Sequence, residues 1–239
     1  MTVTSTRDWP NAWPEAVIFD LDGTLVDSAP DIGRAVNAAY GPLGIGPFNA
    51  AEVRRMIGGG ARVALQRAAE TAGLNLSTGD EQAVFNRFMV AYADVSEEGN
   101  GLYPGAREVL VALRERGIKT AVCTNKSEPV AAIALKALGL LDVLDSFAGQ
   151  RDGQPKKPDP AMLQHTLLPT GVSVSRAVMV GDSRPDAEAA HAAGMPVILT
   201  SFGYSTVPLA DLRPHAVVDH LDEILPLLPT LAVVGARPV

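Results

Sequence analysis

The chain has 239 residues, 47% of them hydrophobic, and a formal charge of −7, enough length for one large domain or two modest ones with real cores. The acidic balance and the lack of any basic run argue against a nucleic-acid partner, and apolar stretches no longer than a strand argue against a membrane role. A single cysteine, Cys123, excludes an intramolecular disulfide and fits a reducing cytoplasm, while four histidines without zinc-like spacing leave oxygen as the metal-ligand chemistry, which points to Mg2+.

Met1 to Trp13 carries Arg7 and Asp8 and no apolar signal core, so no secretion signal is read. Ala16 to Phe19 is the first strand. From about Asp31 to Gly99 the character changes: Glu52–Met56, Arg62–Ala72 and Glu81–Val95 are Ala-rich, carry charges at helical intervals and lack β-branched runs. Gly58-Gly59-Gly60 has no preceding strand and no following Lys-Ser/Thr, so a flexible turn is a better reading than a nucleotide loop. Tyr103-Pro104-Gly105 opens a helix over Ala106–Arg116, closed by Gly117. The chain then alternates. Strands are expected at Lys119–Cys123, Ser146–Ala148, Ala177–Val180, Val197–Leu199 and Ala216–Val218. Helices are expected at Glu128–Leu138, Pro160–Leu168, Pro185–Ala193 and Leu221–Leu228, with a loose tail from Pro229.

Near-continuous apolar strands alternating with helices predict a doubly wound, parallel, Rossmann-like α/β sheet covered on both faces. The all-helical segment after the first strand predicts an inserted helical cap domain at 31–99, with the core formed by 1–30 and 100–239.

The chemistry collects at strand ends. Asp20 and Asp22 stand two apart at the end of an apolar run, where residues i and i+2 share a side. Like charges that close are costly unless a cation or a shared proton offsets them, the arrangement suited to a divalent metal, a nucleophile and a proton shuttle. Thr124-Asn125 ends the next strand at a helix start, where a hydroxyl and backbone amides can hold an anionic oxygen. Lys156-Lys157-Pro158-Asp159-Pro160 follows the third, and Gly181-Asp182-Ser183-Arg184-Pro185-Asp186 the fourth. Taken alone, Thr124-Asn125 is more often a helix cap, the lysines a solvated loop, and Gly181-Asp182-Ser183 a turn. Placed at one edge of one sheet, where open α/β folds bind ligands, they form one constellation. Cys123, inside a strand, reads as a packing thiol. Arg54, Arg55, Arg62 and Arg67 are ordinary helix surface charges unless one of them reaches a substrate anion.

Asp20-Leu21-Asp22-Gly23-Thr24, then Thr124-Asn125-Lys126, then Lys157-Pro158-Asp159-Pro160, then Gly181-Asp182-Ser183 with Asp186, resemble the four ordered motifs of the haloacid dehalogenase superfamily. The resemblance runs from about Ala16 to Leu228. Asp27-Ser28-Ala29-Pro30-Asp31, Ile57-Gly58-Gly59-Gly60-Ala61 with Arg67-Ala68, Tyr103-Pro104-Gly105 and Phe202-Gly203-Tyr204 are most similar to the phosphoglycolate phosphatase branch. Pro185 departs from it, standing where many relatives carry Asn.

The resemblance implies a Mg2+-dependent phosphomonoesterase acting on a small phosphorylated metabolite. Asp20 would be the nucleophile and Asp22 the acid and base. Asp20, the backbone carbonyl of Asp22 and Asp182 would hold the metal, with Asp186 orienting that shell. Thr124, Asn125 and Lys157 would bind the phosphoryl group, with Arg55 and Arg62 as cap candidates for the leaving group. A cytoplasmic monomer or homodimer fits equally. Asp22 argues against dehalogenation, which needs no protonated alkoxide. Another sugar-phosphate or nucleotide phosphatase and a β-phosphoglucomutase-like mutase keep the same motifs. A non-catalytic phosphate-binding scaffold is expected to have lost one of Asp20, Asp22, Lys157 or Asp182, and none is lost.

Overall fold

The computed structural model describes residues 14–96 and 101–235. The lead through Trp13, the last residues of the expected insertion and the final four residues lie outside the described ones. Six parallel strands form one sheet: β1 (Ala16–Phe19), β2 (Lys119–Ser127), β3 (Ser146–Gln150), β4 (Ala177–Gly181), β5 (Val197–Thr200) and β6 (Ala216–Val218), in the order β3-β2-β1-β4-β5-β6. The order reverses at β1, which pairs with β2 through Phe19 opposite Val122 and with β4 through Phe19 opposite Val180. That reversal opens a crevice beyond the carboxyl ends of β1 and its neighbours.

The period of two in the strands divides the core. Val17, Phe19, Val178 and Val180 pack on one side, against α5 (Ala106–Glu115), α6 (Glu128–Ala137) and α9 (Ile224–Gly235). Ala16, Ile18, Ala177 and Met179 pack on the other, against α7 (Ala161–Leu167) and α8 (Arg184–Ala192). All four residues of β1 are buried, as expected for a strand covered on both faces.

Between β1 and α5 the described chain is helical: α1 (Ala29–Tyr40), α2 (Ala50–Met56), α3 (Ala61–Thr71) and α4 (Thr78–Ser96), with a short 3-10 turn at Gly41–Leu43. Asn49 and Glu52 cap the start of α2 reciprocally. These helices share a separate apolar cluster built on Ile32, Val36, Tyr40, Val53, Met56, Leu65, Val84 and Phe88, which Val130 and Tyr204 join from the sheet side.

Two expectations give way. Strand β2 runs to Ser127, so Thr124-Asn125 lies in the strand rather than at a helix start. Ser127 still pairs with Gln150 after an irregularity beyond Cys123. The chain from Pro229 is helix, not a loose tail, through to Gly235. Ile224, Leu228 and Leu231 recur at helical spacing and are buried, whereas Pro229 is exposed, so water can satisfy the carbonyl its missing N–H leaves unpaired.

Candidate active site

Each carboxyl end of the central strands delivers one part of the site. Asp20 leaves β1 with its backbone N–H donating to the Val180 carbonyl at 2.9 Å, which extends the β1–β4 pairing one residue. Its Oδ1 accepts from the Leu21 N–H at 2.7 Å and forms an ion pair with Lys157 Nζ at 2.9 Å. Lys157, on the loop after β3, is 2% exposed. Its ammonium donates to Asp186 Oδ1 at 2.7 Å and to the Cys123 carbonyl at 2.6 Å. The Asn125 side chain fixes that lysine: Oδ1 accepts from the Lys157 N–H and Nδ2 donates to the Lys157 carbonyl, each at 2.9 Å. The Thr124 hydroxyl accepts from the Lys126 N–H at 3.1 Å.

Asp182 follows β4. The Tyr204 N–H donates to its Oδ2 at 2.6 Å. Glycines press on this carboxylate from both sides: a Cβ on Gly23 would lie 2.4 Å from Oδ2, and one on Gly203 would lie 2.2 Å from the Asp182 Cβ. Gly23 also has φ +88°, so the conformation and the contact both require glycine there. Asp186, in the first turn of α8, accepts at Oδ2 from the N–H groups of Asp182 (3.3 Å) and Ser183 (3.1 Å) and from the Ser183 hydroxyl (2.9 Å).

Asp20, Asp182 and Asp186 are buried together, with one carboxylate oxygen of each within 4.8 Å of the others. Burial, only partly offset by Lys157, pushes the Asp20 carboxyl up to about 7. Burial and the Asp186 and Asp20 charges raise Asp182 well above the ordinary carboxylate range. Burial alone would lower the Lys157 pKa, but Asp186 and Asp20 outweigh it and hold the ammonium charged. A cluster of hard oxygen donors with a shortage of positive charge fits a divalent cation such as Mg2+.

Asp22 faces the same cavity as Asp20 and has its own partner. Its Oδ1 is 2.7 Å from Lys126 Nζ, and the Lys126 ammonium also bonds the Tyr92 hydroxyl on α4. A cavity of about 50 Å³ lies beside these groups. Asp20, Asp22, Thr124, Asn125, Lys126 and Lys157 form its floor, and Ile57, Gly58, Gly60, Ala64, Phe88, Met89 and Tyr92 its roof.

The sheet therefore brings together Asp20, Asp22, Thr124, Asn125, Lys157, Asp182 and Asp186. It does not bring Arg55 or Arg62 to the cavity lining: Arg55 is exposed, and Arg62 lies over the Phe85 ring at 4.0 Å. The helical pattern gave their spacing but not which face would turn to the sheet. The Gly58–Gly60 turn does more than connect: a Cβ on Gly60 would come 3.0 Å from the Asn125 carbonyl, so glycine lets the roof close on the floor. Lys126 and Tyr92 are not assigned a role from sequence, because nothing local links the lysine to a tyrosine 34 residues earlier. Cys123 is the buried packing thiol expected, with burial pushing it up to about 11.

A family model for haloacid dehalogenase-like hydrolases matches residues 17–200. A phosphoglycolate phosphatase of Rhodospirillum rubrum is 43% identical over 210 residues, covering 86% of this chain and 87% of that protein. One from Mesorhizobium japonicum is 35% identical over 208 residues, covering 87% and 92%. Among solved structures, a predicted phosphoglycolate phosphatase from Haemophilus somnus superposes with a TM-score of 0.83 at 31% identity, over 89% of this chain and 97% of the other.

Proposed function

The chain belongs to the haloacid dehalogenase-like hydrolases, and from that premise we propose that it is a Mg2+-dependent phosphatase that releases phosphate from 2-phosphoglycolate through a phosphorylated Asp20. The observation that carries the reading is the position of Asp20. It stands on the cavity floor, 2.9 Å from Lys157 and grouped with Asp182 and Asp186. The relatives named phosphoglycolate phosphatase support the substrate.

Asp20, Asp182 and the backbone carbonyl of Asp22 would hold Mg2+, and Asp186 would keep Asp182 and Lys157 in place around it. When bound, the cation offsets the like charges of the carboxylates and of the phosphoryl oxygens. Asp20 attacks phosphorus in line, the ester bond breaks, and Asp22 gives its proton to the departing alkoxide. Asp22 then takes a proton from the water that cleaves the aspartyl-phosphate. Lys157, the Thr124 hydroxyl and the Asn125 N–H surround the transferred group, where positioning and charge stabilisation supply most of the rate. The helices of 31–99 act as the cap, excluding bulk water and shaping the leaving-group pocket. A cytoplasmic location completes the proposal and rests on the single, buried Cys123.

The test is phosphate release from 2-phosphoglycolate, hexose phosphates and nucleoside monophosphates, with and without a chelator, by the native chain and Asp20→Asn. Preference for 2-phosphoglycolate, abolished by chelation and by the substitution, is expected. Transfer of phosphate between hydroxyls without release would overturn the reading in favour of a mutase.

A further inference from the structure

A 2-phosphoglycolate phosphatase must recognise a second anion, a carboxylate one methylene from the oxygen that leaves. We infer that Lys126, backed by the Tyr92 hydroxyl, is the group that reads that carboxylate, an assignment resting on the proposed substrate. Among the described residues the cationic side chains lining the cavity are Lys126 and Lys157. Lys157 is committed elsewhere, paired with Asp20 and Asp186 and donating to the Cys123 carbonyl. Lys126 gives one proton to Asp22 and one to Tyr92, which leaves a third for a ligand.

Its place suits the task. Asp22 as general acid must stand within hydrogen-bond reach of the leaving oxygen. Lys126 Nζ is 2.7 Å from the Asp22 carboxylate, so it lies one short contact beyond that oxygen, where a carboxylate on the adjoining carbon would fall. The pair is secluded, with the lysine side chain 5% and the aspartate side chain 15% exposed, and a charge-assisted bond there is weakly screened. The arginines of the helical segment are engaged or remote. Arg54 pairs with Asp27 at 3.1 Å, Arg67 donates to the carbonyls of Met56 and Ile57, Arg62 stacks on Phe85, and none of them lines the cavity. Tyr92 comes from α4 and Lys126 from β2, so the carboxylate would be gripped where cap and core meet.

The experiment compares specificity constants on 2-phosphoglycolate and on ethyl phosphate, which has the same chain length and no carboxylate, for the native chain, Lys126→Met and Tyr92→Phe. Loss of Asp22's partner affects both esters, so the ratio isolates the carboxylate. Lys126→Met is expected to lose about ten- to a hundredfold more on 2-phosphoglycolate than on ethyl phosphate. Tyr92→Phe is expected to shift the ratio the same way by a few fold, and it decides the matter if Lys126→Met does not fold. Parallel losses on both esters in Tyr92→Phe and in folded Lys126→Met would overturn the assignment. A native chain that hydrolyses ethyl phosphate but not 2-phosphoglycolate would instead overturn the substrate reading, and this assignment with it.

Discussion

Replacing Lys157 by Met removes the ammonium that pairs with the buried Asp20 and Asp186 while keeping much of its bulk. In the native chain Lys157 holds Asp20 at 2.9 Å and Asp186 at 2.7 Å. Removing one partner of a buried ion pair costs about 3–5 kcal/mol, because the charge left behind is uncompensated. For a chain of this size each kcal/mol lowers Tm by about 2–4 °C, so the metal-free variant should melt roughly 6–20 °C below the native protein near neutral pH. The pH dependence has a definite sign. Asp20 titrates at about 7 when folded against 3.8 for an ordinary aspartate, because burial outweighs Lys157. Between those values the folded state holds a proton that the unfolded chain has released, so stability falls as pH rises through the window. Lys157 is a group that lowers the Asp20 value, so its loss extends the window upward. The deficit should therefore be larger near pH 8 than near pH 5, and Mg2+ should recover part of it. Thermal and urea unfolding with a chelator at both pH values reads this directly. A loss below about 1 kcal/mol near pH 8, or a deficit independent of pH, would refute the reasoning.

For the native protein, saturating Mg2+ should raise stability by about 2.7 kcal/mol at a hundredfold excess over Kd. Since Asp20 and Asp182 hold their protons more tightly than ordinary carboxylates, the gain should shrink as pH falls below about 7; equal gains at low and high pH in a thermal-shift titration would contradict this. Asp22→Asn should slow an alkyl ester about 10²–10⁴-fold while slowing p-nitrophenyl phosphate much less, because nitrophenolate leaves without a proton. Equal losses in steady-state rates would remove Asp22 as the acid. Arg55→Ala and Arg62→Ala should change specificity constants on 2-phosphoglycolate by less than about threefold, since neither side chain lines the cavity. A larger change in either would show that it reaches the substrate.

Much of the site was legible because strand chemistry is local. The run Val17–Phe19 ending in Asp20 announces a buried strand with a carboxylate at its tip, and the parallel sheet delivers Thr124, Lys157 and Asp182 to the same edge. What local pattern could not carry was which helical face meets the sheet. Arg55, Arg62 and Tyr92 all sit at helical spacing, and only the packing of α1 to α4 over the strand ends turns Tyr92 inward. The same holds for the partner of Asp22: the spacing of the two aspartates announces their shared cavity but not Lys126, 2.7 Å from the Asp22 carboxylate. At Pro229 the propensity argument lost to burial, since Leu228 and Leu231 anchor α9 on either side of the proline.

The claim that phosphate passes through Asp20 is tested most directly by acid-quenching the enzyme during steady turnover with Mg2+ and mapping phosphorylated peptides by mass spectrometry. The account predicts a phosphoryl group on Asp20, formed and lost fast enough to support turnover, and absent from Asp20→Asn. Turnover with no phosphorylated enzyme, or with the phosphoryl group on another residue, would contradict it.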